Sequence, residues 1–311
     1  MAPTPHARLI REWEAAYSSR VLPQLDSASP HQWAMACHEM FEAGYIDVLE
    51  YAARHLHAAY PELEYLATMV AWFDAIPRQL PPLPFRDDPG ADVQIVRNAG
   101  CDSVLLCFCA AQGTLGLPLN FVHQWLGRLP VNLVYIKDFR DLSGALGFPS
   151  LAPDRPASII ALRRVVEALG GKRIYALGVS VGGYAAMYYG LQLGAAGVLN
   201  LAGASDLTSD FANRVGWVPL VHLNLLRLAP DYAMNLRDSY ASARQRPHVL
   251  IAFNAGFPRD RQQAERMSGL PNVELVEIDG PAKHNVVDSL IRQGKFLDLL
   301  HRLLAAGRTE P

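Results

Sequence analysis

Apolar residues recur at helical spacing through residues 5–20, 31–43, 46–58 and 62–76, and no strand-like run interrupts them. The pattern changes at IPRQLPPLPFRDDPGAD, which carries five prolines between Pro77 and Pro89 and reads as an extended, stiff connection. From Asp92 onward, short apolar and β-branched runs alternate with amphipathic stretches. The runs are 92–97 (DVQIVR), 103–109 (SVLLCFC), 131–137 (VNLVYIK), 173–178 (RIYALG), 197–202 (GVLNLA), 247–253 (PHVLIAF) and 273–278 (VELVEI). Helical patterns fill the gaps at about 117–128, 155–169, 181–193 and 285–306. Runs that are apolar throughout suit strands buried on both faces of a mostly parallel sheet. Their alternation with helices predicts a doubly wound α/β class. Three zones follow: a helical segment over 1–80, a proline-rich linker over 81–91, and an α/β domain over 92–311.

In the first zone Trp33, Cys37, Gly44 and Pro61 fall at positions resembling one tetratricopeptide unit, with Gly44 at the turn between two helices. A lone unit has no neighbour to stack on, so the segment reads as a helical cap or a docking element for a protein partner or a second copy, not a repeat array.

Composition narrows the function. Half of the 311 residues are hydrophobic and 19% are charged, as in a core-forming chain. Lys and Arg total 28 against 30 for Asp and Glu, a net charge of −2 that leaves no basic excess for a nucleic-acid backbone. Four cysteines without a CxxC pair are no disulfide framework. The opening MAPTPHARLIREWEAAY has no apolar secretory core, and no stretch approaches the ~20 apolar residues of a membrane span. A cytoplasmic location is the expectation.

The chemistry concentrates in RIYALGVSVGGYAAMYYG, where a strand runs into Gly178-Val179-Ser180-Val181-Gly182 and then a helix of small residues. This is G-x-S-x-G in a strand–turn–helix setting, which makes Ser180 the candidate nucleophile. Glycines at 178 and 182 remove side chains that would collide where the turn is sharpest, and the helix N-terminus favours developing negative charge. No G-K-[ST] follows, which excludes a P-loop, and no G-x-G-x-x-G follows an early strand. For the base, His284 stands apart from nine other histidines. It follows the last strand and precedes a long amphipathic helix, at the carboxyl edge where open α/β sheets bind ligands.

With these residues in place, the chain over about 92–306 resembles the α/β-hydrolase superfamily. VNLVYIKDFRDLSG is similar to that family's strand and D-x-R-G-x-G/S loop, with Asp138 and Arg140 matching and Asp141 in place of the usual glycine. The resemblance implies an acid after the strand at 247–253, where Asp260 lies, with Asp206 after the preceding strand as the alternative. It also implies oxyanion donors from the N–H of Val181 and from the loop CFCAAQGTLG, where Ala111 is preferred to Ala110 and Gln112. The family's common His-Gly pair is missing from that loop. Asp279 is close to His284 in sequence, which does not fix its direction, Asp288 one turn into the following helix suits that helix's N-terminus, and Cys109 reads as packing. Residues 207–245 are too long for a plain connection. Their apolar FANRVGWVPLVHLNLLRL, including Trp217 and His222, predicts a helical lid. The expected activity is a serine hydrolase that cleaves an ester or thioester with an apolar acyl group through an acyl-enzyme, with no cofactor or metal. The alternatives are an acyltransferase or thioesterase acting on a carrier-bound chain and, in another class, an inactive interaction module.

Overall fold

A computed structural model describes residues 5–215 and 218–306; Trp217 of the apolar insertion lies outside them. Four helices come first: α1 (Ala7–Ser19), α2 (Pro30–Ala43), α3 (Ile46–Ala59) and α4 (Glu64–Asp74). Local sequence sets their ends. Ser29 and Gln32 form a reciprocal capping box before α2 with Pro30 at its first position, and Gly44 closes α2 in a left-handed conformation, φ 79°. A side chain at Gly44 would also meet Asn120 within 2.2 Å, so the turn packs against the next part of the chain.

The α/β zone runs β1 (Val93–Val96), β2 (Ser103–Phe108), α5 (Leu119–Leu126), β3 (Asn132–Ile136), α6 (Arg155–Ala168), β4 (Arg173–Val179), α7 (Val181–Leu193) and β5 (Gly197–Leu201). It continues with α8 (Ser209–Val215), α9 (Leu220–Leu228), α10 (Leu236–Ser242), β6 (His248–Asn254), α11 (Pro258–Glu265), β7 (Val273–Ile278), α12 (Val286–Arg292) and α13 (Lys295–Ala305). The seven strands lie in the order β1-β3-β2-β4-β5-β6-β7. All neighbouring pairs are parallel except β1 with β3, where Val93 faces Ile136 and Val96 faces Leu133 in antiparallel register. The chain adds strands first to one side of β2 and then to the other, so the switch point falls between β2 and β4. One helical pattern becomes two helices: the stretch expected at 285–306 breaks at Gly294, φ 69°, a conformation that glycine adopts without strain.

Both sheet faces are buried. Leu105, Cys107, Leu133, Tyr175, Leu177 and Leu250 face one layer; Val104, Leu106, Phe108, Val134, Val249 and Ile251 face the other. The second layer holds α6, α7 and the inner sides of α9 and α10. The first holds α5, α12 and α13 together with α1–α4, whose Trp13, Trp33, Phe41, Leu56 and Phe73 belong to the same continuous core as the sheet. Phe121 of α5 meets Phe41 at 5.1 Å and Phe73 at 5.3 Å, and Trp72 donates its indole N–H to Asp288 of α12 at 2.8 Å.

The stretch 81–91 has no helix or strand, yet it is fastened along its course. Leu83 N–H donates to Gly127, Asp87 N–H donates to Asn120 Oδ1, and Phe85 stacks on His123 at 4.8 Å. Burial lowers the His123 pKa to about 4, so its ring is neutral. Nε2 therefore donates to Leu83 O at 2.6 Å, and Nδ1 accepts from Tyr135 O–H at 2.6 Å. Buried Lys137 donates to Asp87 Oδ1 and Asp88 O, which pins the end of the same segment. Among the described residues, no helix is long and apolar enough to cross a membrane.

Candidate active site

Ser180 occupies the turn between β4 and α7 with φ 54° and ψ −119°, a conformation L-residues rarely adopt. The surrounding glycines make that turn possible. A Cβ on Gly178 would lie 2.0 Å from Gly182 O, and one on Gly182 would lie 2.2 Å from Phe108 O. The strain holds the serine hydroxyl at the carboxyl edge of the sheet, beside the switch point.

Ser180 Oγ is 2.8 Å from His284 Nε2. On the other side of the ring, Nδ1 is 2.8 Å from Asp260 Oδ2 and 2.9 Å from Oδ1. An ionised carboxylate only accepts hydrogen bonds, so Nδ1 carries the proton and Nε2 presents its lone pair to the serine O–H. Asp260 is 4% exposed and sits in the first turn of α11, a helix begun by Pro258 that follows β6. His284 is held from both sides of its loop. Asn254 Nδ2 donates to Pro281 O at 2.7 Å, and Asn285, which caps α12, donates to Gly116 O at 2.6 Å.

The other candidate acid stands elsewhere. Asp206 is buried, accepts from the Thr208 N–H and hydroxyl, and pairs with Arg266, so it ties the base of the α8–α10 insertion to the end of α11. Asp279 is exposed, and Asp288 pairs with Arg292 and Trp72. Val181 lines the cavity in front of Ser180, whereas Ala111 opens a short 3-10 turn, is exposed, and is not among the lining residues. The neighbouring Ala110 N–H is already given to Thr114 O at 2.6 Å.

The cavity has a volume of about 210 Å³. Ala202, Ala204, Leu207, Pro219, Val221 and Leu225 supply an apolar wall, the last three from α9 and the residues leading into it. Leu220, Leu223 and Leu228 of the same helix face outward and are exposed. His222 is buried in the wall, its pKa lowered by burial, with Nε2 donating to Leu207 O at 2.7 Å. Ser143, Arg259 and Gln263 also line the cavity, and sequence reasoning did not single them out. Arg259 Nε lies 3.7 Å from Asp260 Oδ1. Ser143 fills the last position of the D-x-R-G-x-G/S pattern, which is the local signal it carried, whereas nothing local marks Gln263, whose side-chain amide is engaged with Ser205 and Asp206.

The cysteines are separate from this chemistry. Burial raises Cys37 and Cys109 to about 12 and Cys107 well above its ordinary value. At pH 8 iodoacetamide is therefore expected to modify the half-buried Cys101 alone in the native protein, read by peptide mass spectrometry. Rapid native labelling of Cys109 would contradict this.

No family model matches the chain, and no curated protein matches it. Solved structures with a similar course include MenH from S. aureus, at 15% identity over 70% of this chain and 99% of that one, with a TM-score of 0.46. A carboxylesterase structure from Nitrososphaera gargenis gives 17% identity over 72% of this chain and 99% of that one, TM-score 0.47. The capsule O-acetyltransferase of Neisseria meningitidis serogroup A gives 13% over 68% and 91%, TM-score 0.46.

Proposed function

We propose that this chain, an α/β hydrolase by fold, is a serine hydrolase that cleaves a carboxylic ester or thioester through an acyl-enzyme. The observation that carries the reading is the continuous hydrogen-bonded line from Ser180 Oγ through His284 to Asp260, with each contact at 2.8 Å. His284 takes the serine proton as Oγ attacks the acyl carbonyl, and Asp260 stabilises the imidazolium that forms. The Val181 N–H, at the start of α7, donates to the oxyanion, aided by the positive end of that helix. His284 then returns the proton to the leaving group and activates a water that releases the acid.

The cavity favours a short apolar acyl group. An apolar cavity of about 150 Å³ holds benzene, so one of about 210 Å³ has room for a few carbons more. The segment α8–α10 acts as the lid, with Val221 and Leu225 on its inner side. Transfer to an alcohol or amine in place of water would use the same residues.

A fluorophosphonate probe with mass spectrometry of the labelled peptide tests the reading. Label is expected at Ser180, absent in Ser180→Ala and slowed in His284→Ala. Folded wild-type protein that takes no label at Ser180 would refute it and favour an interaction module. A p-nitrophenyl ester series should show turnover falling steeply beyond medium chain lengths.

A further inference from the structure

The loop after β3 is built around one carboxylate. Asp138 accepts the N–H groups of Arg140, Leu142 and Gly144 at 3.1, 3.0 and 2.8 Å. Tyr189 O–H donates to Gly144 O at 2.7 Å, and Arg140 donates to Gly147 O. This rigid frame holds Asp141 and Ser143 in left-handed conformations, φ 52° and 55°. These are two positions where the D-x-R-G-x-G/S pattern allows glycine.

Ser143 is the unusual member. It is 7% exposed, and among the described residues neither its N–H nor its hydroxyl has a hydrogen-bond partner. It lines the cavity together with Ser180 and Val181, and also the small adjoining space bounded by Val181 and Gly182. A left-handed conformation strains an L-residue, and the Ser143 side chain opens onto the cavity. Glycine would escape that strain and would still present the backbone N–H. The side chain is what the position gains in return, and strain of this kind concentrates at functional sites.

We propose that the Ser143 hydroxyl is the second donor to the oxyanion, an assignment that rests on Ser180 being the nucleophile. As the Ser180 Oγ–carbon bond forms, the Ser180 proton passes to His284 Nε2 and the carbonyl π pair moves onto oxygen. That oxygen accepts hydrogen bonds from the Val181 N–H and the Ser143 O–H, and Ser143 keeps its proton throughout. When the tetrahedral species collapses, the bond to the leaving group breaks and His284 delivers the proton to it. The acyl substrate and water are the sole reactants.

Ser143→Gly and Ser143→Ala separate the hydroxyl from the backbone. Glycine relieves the left-handed strain, so its Tm should equal or exceed that of wild type, while alanine retains the strain. Both should lower kcat on a short-chain p-nitrophenyl ester about 10²–10³-fold, with KM changed by less than about threefold and Ser180 still labelled to completion by fluorophosphonate, only more slowly. If wild type labels at Ser180 and Ser143→Gly turns over within about threefold of it, the Ser143 assignment is overturned while the nucleophile stands. If wild type neither labels nor hydrolyses, the nucleophile reading falls first and this one with it.

Discussion

Replacing Asp260 by asparagine is expected to lower kcat about 10⁴-fold and leave thermal stability nearly unchanged, whereas Asp206→Asn should do the reverse. The reason is where each carboxylate points. Asp260 meets His284 Nδ1 through both oxygens. An asparagine there can turn its NH₂ toward the ring, which favours the wrong tautomer and moves the Nε2 lone pair away from Ser180. Asp206, in contrast, spends its oxygens on Thr208 and Arg266 and makes no hydrogen bond to His284. Its loss leaves the Arg266 guanidinium without its carboxylate at the root of the α8–α10 insertion, a cost of roughly 2 kcal/mol for a pair buried on one side only. Ester turnover and thermal melts on the two variants decide the matter. A crippled Asp206→Asn beside a near-normal Asp260→Asn would overturn the assignment of the acid.

Removal of residues 1–80 is expected to abolish folding, not merely a docking function. The four leading helices share one apolar layer with the sheet. Without them, the face of α5 around Phe121 loses Phe41, Trp72 and Phe73, and Asp288 loses its indole donor. Each large apolar side chain returned to water costs about 1.5–3 kcal/mol. A few of them outweigh much of the ~5–15 kcal/mol by which domains of ordinary size are stable. Chain 81–311 should therefore be insoluble, or soluble only as aggregates that bind a hydrophobic dye. A monodisperse fragment with wild-type ester turnover would show that the helices are an appendage.

These outcomes mark what could be read along the chain. Strands such as 103–109 and 197–202 were legible because burial on both faces makes the run apolar almost throughout, with Ser103 and Asn200 the exceptions, and the turn at Ser180 because its glycines have a steric reason that needs no partner. The destination of the α1–α4 apolar faces was not legible. Amphipathic spacing says that one side of a helix is covered, but what covers it is fixed by contacts such as Trp72 with Asp288, 216 residues apart. For the same reason the sequence left Asp206 and Asp260 both open: each follows a strand, and only the helix begun by Pro258 turns Asp260 toward the imidazole. Ser143 was hidden differently. The loop pattern accepts glycine or serine at that position, so the residue draws no notice until its positive φ is known.

The Trp72–Asp288 bond also carries a consequence for how the protein is made. A ribosome adding about 5–20 residues per second needs ten seconds or more to travel the 216 residues between the two partners. Throughout that interval the first four helices have emerged, while α12 and α13, which share their layer, have not been synthesised. The nascent chain thus carries a sticky surface for most of its elongation, and its yield in cells should depend on chaperone capacity more steeply than its final stability would indicate.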